Sequence, residues 1–153
     1  MSDLKVTTDV PNEIKMTRTF DAPRRLVWRA MTEPALLKRW LNNSHGSIVE
    51  VDNDVRVGGT YRQLYRANKG FEFTFTGVYS EVSDDRTVMT QRFNDSPDEA
   101  VVTTTLTERD GNTTMEIVMR FGSQAVRDMV ISTGMEHGAN ESYNNLDELV
   151  RNL

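Results

Sequence analysis

The hydrophobic and polar positions of the chain follow two different periods, which predict strands and helices. Between residues 13 and 21, Ile14, Met16, Arg18 and Phe20 take every second position, a row typical of a strand. Six further segments with the residue types of strands follow, at 46–51, 59–66, 71–82, 87–93, 100–107 and 113–121. Short turns rich in Gly, Asn, Asp and Pro separate them, and strands joined by short turns pair antiparallel. The pattern therefore predicts a curved antiparallel sheet of about seven strands.

Helical spacing occurs in two parts of the chain. After the first strand, Pro23 suits the first turn of a helix that Asp21 can cap, and Pro34 opens a second short helix. After the last strand, Ser123 caps a helix that stops at Gly134, and the longer helix that follows has an apolar face with a period near 3.6. This face needs an apolar partner, which the sheet provides. We therefore predict an α+β domain with two short helices after the first strand and a long C-terminal helix across the sheet.

The composition is that of one globular domain. The chain has 153 residues, 37% of them hydrophobic, and no apolar run approaches the ~18 residues that a membrane helix needs. We assign residues 13–153 to a single domain and residues 1–12, which are polar and acidic, to a flexible N-terminal segment. This segment lacks the basic start and apolar stretch of a signal peptide, so we expect a cytoplasmic protein.

Charge and residue types argue against several kinds of function. The formal net charge of −5 disfavours nucleic acid, and the absence of Cys excludes disulfides, thiolate catalysis and cysteine metal sites. His137 and Glu141 are one helical turn apart but have no third metal ligand, while His45 lies in a polar loop. The 52–54 segment begins like a calcium loop, yet the required Gly and terminal Glu are missing. We therefore predict no metal and no cofactor, and we assign no catalytic residue.

The strand faces that point toward the long helix are mainly apolar, with an occasional polar group. Phe73 and Phe75 share one face of their strand, as Met89 and Gln91 do in the next. Ligand cavities have this composition. The alternative is a dry core in which Gln91 and Thr104 are hydrogen-bonded internally. The residues alone leave both open.

A set of short motifs resembles one known family. The motifs are Phe20-Asp21-Ala22-Pro23, Val27-Trp28, Glu33-Pro34, Trp40, Val57-Gly58-Gly59-Thr60-Tyr61, Gly77-Val78-Tyr79-Ser80-Glu81-Val82, Arg127-Asp128 and Gly134-Met135-Glu136-His137-Gly138. In these motifs the chain resembles the SRPBCC superfamily of helix-grip proteins, which includes START and birch-pollen-allergen-like domains. Within it, the chain is most similar to the branch named after the activator of the heat-shock-protein-90 ATPase. The resemblance covers roughly residues 13–153.

The resemblance implies a seven-stranded antiparallel sheet, two small helices between its first two strands, and a C-terminal helix that closes a hydrophobic cavity. It therefore favours a ligand cavity over a dry core. The chain departs from the family pattern in two places. Relatives often carry a second Trp beside Trp40 and then Gly, where this chain has Leu41-Asn42-Asn43, and they often place a Trp where it has Ala139. The small side chain of Ala139 is predicted to open space beneath the last helix.

Candidate ligand-binding residues are predicted on both sides of this cavity. They are Trp28, Trp40, Tyr61, Phe73, Phe75, Met89, Gln91, Thr104, Met119, Phe121, Met135, Ala139 and Tyr143.

Three functions stay open at the level of the sequence. The first is a binding module, monomeric or homodimeric, that takes a small hydrophobic or amphipathic ligand and neither binds nucleic acid nor inserts into membranes. The second is a cyclase, dehydratase or hydrolase acting on an aromatic or polyketide-like substrate, as some superfamily members do. The third is a stress-related chaperone cofactor that stimulates an ATPase, as the name of the branch suggests.

Overall fold

The computed structural model of the protein describes residues 3–153. These residues form eight strands and four helices in an α+β arrangement, which confirms the predicted fold class. The strands are β1 (Lys5–Thr7), β2 (Glu13–Phe20), β3 (Gly46–Asn53), β4 (Thr60–Ala67), β5 (Glu72–Val82), β6 (Arg86–Phe93), β7 (Glu99–Arg109) and β8 (Asn112–Arg120). The helices are α1 (Arg24–Thr32), α2 (Pro34–Trp40), α3 (Gln124–Ser132) and α4 (Met135–Arg151).

All eight strands form one antiparallel sheet in the order β1-β2-β8-β7-β6-β5-β4-β3. The seven predicted strands are confirmed with small shifts at their ends, but the sheet has one strand more than predicted. The additional strand, β1, pairs Lys5 with Thr17 and lies within the segment 1–12. Its three residues are too few for an alternating pattern to be recognised. Residues 1 and 2 of the segment predicted to be flexible lie outside the described residues.

Two bulges and one glycine accompany the bending of the sheet. The pairing register shifts between Ile48 and Glu50 in β3 and between Tyr79 and Glu81 in β5. Bulges of this kind bend a strand and increase its twist. At Gly77 in β5, a Cβ atom would lie 1.9 Å from the carbonyl oxygen of Thr90. Only glycine therefore allows β5 and β6 to approach so closely at this position.

Caps fix the ends of several helices. Ser123 accepts a hydrogen bond from the Val126 amide and Gly134 adopts a left-handed conformation with φ of 80°, so the predicted boundaries of α3 are confirmed. The predicted cap of α1 by Asp21 is wrong, because Pro23 occupies the N-cap position and the helix begins at Arg24. The carboxylate of Glu108, at the end of β7, accepts from the Arg24 amide at 2.6 Å instead.

The hydrophobic core lies where β2, β8 and β7 face α1, α2 and the second half of α4. Phe20, Val27, Met115 and Leu146 are completely buried there. At the start of the chain, the buried guanidinium of Arg127 donates to backbone carbonyls of residues 8, 10 and 13 and so ties the N-terminal segment to α3. No helix among residues 3–153 is long and apolar enough to cross a membrane.

Candidate ligand-binding site

The concave face of β4, β5 and β6 is the part of the sheet that the helices cover least. Strand register places Gln63 opposite Phe75 and Tyr65 opposite Phe73, and Phe75 opposite Phe93 of β6. Because side chains alternate along a strand, these residues share one face with the buried Tyr61. We call the concave surface formed by residues 63, 65, 73, 75, 89, 91 and 93 the groove.

Exposure increases along the groove from one end to the other. At one end the rings of Tyr61 and Tyr79 and the side chain of Thr87 are buried. Further along the same strands, six residues of the groove are half-buried, and the seventh, Phe93 at the end of β6, is 48% exposed. The groove is therefore closed at one end and open at the other.

The open end of the groove lies beside the start of α4. Gly138 of α4 is so close to the loop 42–45 that a Cβ atom there would lie 3.0 Å from Cδ2 of His45. The backbone carbonyl of His45 in turn accepts from the amide of Asn68, in the turn between β4 and β5. Glu141, in the second turn of α4, accepts from the hydroxyl of Ser44 at 2.5 Å. The loop thus joins the open end of the sheet to the first turns of α4.

Aromatic rings dominate the open end of the groove. Tyr65 and Phe73 stack with an interplanar angle of 8° and a centroid distance of 5.2 Å. Phe75 meets Tyr65 edge-on at 5.8 Å, and Phe93 lies 5.5 Å from Phe75. Phe71, just before β5, extends the cluster toward solvent and is 58% exposed. Rings in this arrangement form an apolar surface that is partly in contact with water.

Polar groups occur singly among these rings. The hydroxyl of Tyr65 donates to Oε1 of Gln63 at 3.1 Å. The side chains of Gln91 and Thr104 are half-buried and make no hydrogen bond to the described residues, although their polar atoms are not sealed from solvent. A dry core would leave such groups paired inside the protein. Among the described residues, Gln91 and Thr104 therefore lack the internal hydrogen bonds that the dry-core alternative expects.

The structure separates the predicted site residues into three groups. Phe73, Phe75, Met89 and Gln91 lie in the groove, with Thr104 in the neighbouring strand β7. A second group is on α4, where Met135, Ala139 and Tyr143 are partly buried and pack against the core. The third group is buried in the protein. Its fully buried members are Trp40, Tyr61, Met119 and Phe121, and Trp28 of α1 is partly buried against the core.

Three groove residues were not among the predicted site residues, namely Gln63, Tyr65 and Phe93. They continue the alternation of Tyr61 in β4 and of Met89 and Gln91 in β6. The period-two pattern of the sequence places all three on this inner face, although they were not chosen as site residues.

The two histidines lie close to each other at the junction of the loop 42–45 and α4. Their rings are 6.0 Å apart, and Nε2 of His137 is 3.2 Å from Oε1 of Glu141. The hydrogen bond from Ser44 is the main cause that lowers the pKa of Glu141. Among residues 3–153, no group of three or more His, Asp and Glu side chains is arranged to hold a metal ion. The hydrogen bond that Glu141 accepts from Ser44 fastens the loop 42–45 to α4.

Burial raises the pKa of all four tyrosines above the ordinary value of 10.0, because the charged phenolate loses its hydration. Since the folded state favours the neutral phenol, this contribution to stability is present below pH 10 and is lost as the pH rises toward the raised pKa values. In an alkaline titration, we expect tyrosinate absorbance of the native protein to appear only above pH 10, together with loss of the near-ultraviolet circular dichroism. Tyrosine ionisation near pH 10 with the fold intact would contradict these environments.

A curved antiparallel sheet wrapped around a C-terminal helix defines the helix-grip class of proteins. The family model described as "Activator of Hsp90 ATPase homolog 1-like protein" matches residues 21–151. The chain therefore belongs to this family, as the sequence motifs predicted.

Solved structures of bacterial proteins have the same fold. A protein of Rhodobacter sphaeroides is similar with a TM-score of 0.92 and 24% identity over 99% of both chains. A protein of Chromobacterium violaceum has a TM-score of 0.80 and 29% identity over 92% of this chain and 98% of its own. A protein of Mycobacterium smegmatis has a TM-score of 0.86 and 22% identity over 95% of both chains. No curated protein matches the chain in sequence.

Proposed function

We propose that the protein binds a small hydrophobic or amphipathic molecule between the groove and the first half of α4. The observation that carries this proposal is the gradient of exposure along β4, β5 and β6, from buried rings to rings in contact with water. Large apolar side chains exposed in a concave surface gain free energy when a ligand covers them. Covering roughly 150 Å² of apolar surface, about the area of one aromatic side chain, contributes about 4 kcal/mol before the costs of association.

The residues of the groove indicate how such a molecule would be held. The rings of Tyr65, Phe73 and Phe75 offer both faces and edges, which suits flat or chain-like apolar groups. Met89 and Met135 add flexible thioethers that can adapt to different shapes. Gln91 and Thr104 provide hydrogen-bonding groups that have no partner among the described residues. This combination of adaptable apolar surface and a few polar groups supports an amphipathic ligand.

Nile red, a neutral dye whose fluorescence rises in apolar surroundings, tests the proposal. We expect saturable binding to the wild-type protein and an affinity at least tenfold lower in Ala139→Trp, because the indole fills the space between α4 and the groove. Ala35→Trp introduces the same ring on the exposed surface of α2 and serves as the matched control.

Circular dichroism first establishes that both variants are folded. Equal dye binding by the wild type and both variants would place the dye outside the groove, and no saturable binding by the wild type would end the proposal.

Activation of a chaperone ATPase is the second candidate, and it rests on the family to which the chain belongs. The ATPase rate of a purified heat-shock-protein-90 chaperone, measured with and without this protein, tests it. An increase that saturates with protein concentration would support the role, whereas an unchanged rate at saturating concentrations would exclude it for that chaperone. Dye binding and ATPase activation are independent readouts, so each candidate stands or falls separately.

A further inference from the structure

A buried positive charge lies on the same concave face as the groove. Arg18 of β2 is 1% exposed and pairs in register with Met115 of β8. It is the only buried charged side chain on the described strands. Its Nη1 donates to Oδ1 of Asn144 at 2.5 Å, and its Nη2 lies 3.8 Å from Oδ2 of Asp147. Both partners belong to α4, so the guanidinium group is held between the sheet and the helix.

Polar atoms of Arg18 and of α4 lack hydrogen-bond partners among the described residues. They are Nε and Nη2 of Arg18 and Oδ1 of Asn140, all buried. Asn140, Asn144 and Asp147 are spaced at i, i+4 and i+7, so they share one face of α4. We call Arg18 with these three residues the polar edge. Buried polar groups are nearly always hydrogen-bonded in folded proteins. Two nitrogens of Arg18 are not, and Nη2 has only the carboxylate of Asp147 at 3.8 Å, so these two N–H groups call for an explanation.

The charges of the polar edge are not fully balanced from within. Asp147 is shared between two guanidinium groups, since its Oδ2 also lies 3.4 Å from Nη2 of Arg151. Desolvation lowers the pKa of Arg18, and the nearby carboxylates of Asp147 and Asp3 offset this only in part, while Arg151 opposes them. A further anion beside Nε and Nη2 would accept hydrogen bonds from these N–H groups and compensate the positive charge of Arg18. The planar guanidinium group fits a carboxylate because two parallel N–H donors meet its two oxygens.

Neighbouring rings connect the polar edge to the groove. The guanidinium carbon of Arg18 lies 5.5 Å from the centre of the Phe20 ring. Phe20 in turn lies 6.5 Å from the ring of Tyr143, which precedes Asn144 on α4. In the sheet, β2 and β6 are three strand spacings apart, a distance of roughly 14 Å. A molecule with a polar end and an apolar chain of that length could reach from the polar edge to the groove.

We propose that the ligand is an amphipathic carboxylic acid whose carboxylate binds Nε and Nη2 of Arg18 while its apolar part extends along the concave face into the groove. The inference rests on the proposed ligand-binding function and names the chemical class of the ligand. Removal of the acid group from a ligand should therefore cost affinity even when the apolar chain is unchanged.

Displacement of Nile red by decanoate and by 1-decanol separates the acid group from the chain. For the wild-type protein at neutral pH, we expect half-displacement by decanoate at a concentration at least tenfold below that of 1-decanol. If 1-decanol displaces the dye as well as decanoate does, the acid-binding role of Arg18 is refuted while the ligand-binding function stands. If the dye itself does not bind, the ligand-binding function fails, and this inference fails with it.

A double variant tests whether Arg18 is the cause of the preference. Arg18→Gln with Asp147→Asn removes both buried charges together, and we expect the preference for decanoate to disappear while 1-decanol binding is unchanged. Lys15→Gln with Glu116→Gln neutralises an exposed ion pair on the opposite face of β2 and β8 and should keep the preference. A preference that survives in the first double variant would overturn the assignment to Arg18.

A spectroscopic measurement on the wild type covers the case in which the double variant does not fold. With ¹³C-methyl methionine, the methyl resonance of Met115, opposite Arg18 in the register, should shift with decanoate and not with 1-decanol. An unchanged Met115 resonance at saturating decanoate would contradict the proposal.

Discussion

Asp147→Ala should destabilise the protein by about 3–5 kcal/mol, the usual cost of leaving a buried charge without its partner. The carboxylate of Asp147 is buried between Arg18 and Arg151, at 3.8 and 3.4 Å. After the substitution, Arg18 keeps its charge and its hydrogen bond to the neutral amide of Asn144 but loses the carboxylate of Asp147. The cost exceeds that of an exposed ion pair, because the low-dielectric surroundings cannot replace the lost carboxylate with water.

Urea unfolding followed by circular dichroism measures this loss. Glu148→Ala, at the next and exposed position of α4, serves as the control and should change the free energy of unfolding by about 0.5 kcal/mol or less. If Asp147→Ala lowered the free energy of unfolding by less than about 1 kcal/mol, a loss close to that of a typical surface substitution, the charge of Arg18 would have to be compensated by other groups.

Phe20→Ala should destabilise the protein by about 3–5 kcal/mol, as expected for removal of a buried ring that leaves a cavity. Phe20 is fully buried in the core cluster, and its ring lies against Tyr143 and the guanidinium group of Arg18. The ring therefore supports both the hydrophobic core and the middle of α4, where Tyr143 lies. Loss of this support removes packing from the sheet and from the helix at once.

Phe71→Ala is the matched control for this substitution. The same atoms are removed, but Phe71 is 58% exposed, and the free energy of unfolding should fall by about 1 kcal/mol at most. Similar losses for the two variants would mean that the core does not lie where β2 meets α4.

The regular elements could be predicted because their signals are local. Alternating residues and turns fixed the strands β2 to β8, and Ser123 and Gly134 fixed the helix boundaries near the end of the chain. The strand β1 was not predicted, because three residues without alternation carry no such signal. The cap of α1 was predicted wrongly, since its carboxylate comes from Glu108, 84 residues further along the chain.

The candidate site could be predicted only in part, because some of its features depend on contacts between residues that are far apart in the sequence. Alternation showed which side chains share the concave face, and the rings of β5 lie there as expected. Alternation does not show how completely the helices cover that face, because this depends on packing between distant segments. The polar edge was also not recognised, since Arg18 meets Asn144 across 126 positions of the sequence. Arg18 in a row of apolar residues was nevertheless a visible anomaly in the pattern.

Methionine methyl groups lie on both sides of the proposed binding site, between the groove and α4, and report directly on a ligand there. With ¹³C-methyl methionine and increasing Nile red, we expect the resonances of Met89 in the groove and Met135 at the start of α4 to shift in a saturable manner. Met31 of α1 and Met129, on the exposed side of α3, should keep their positions. Saturable shifts of Met31 or Met129, with Met89 and Met135 unchanged, would contradict a binding site in the groove.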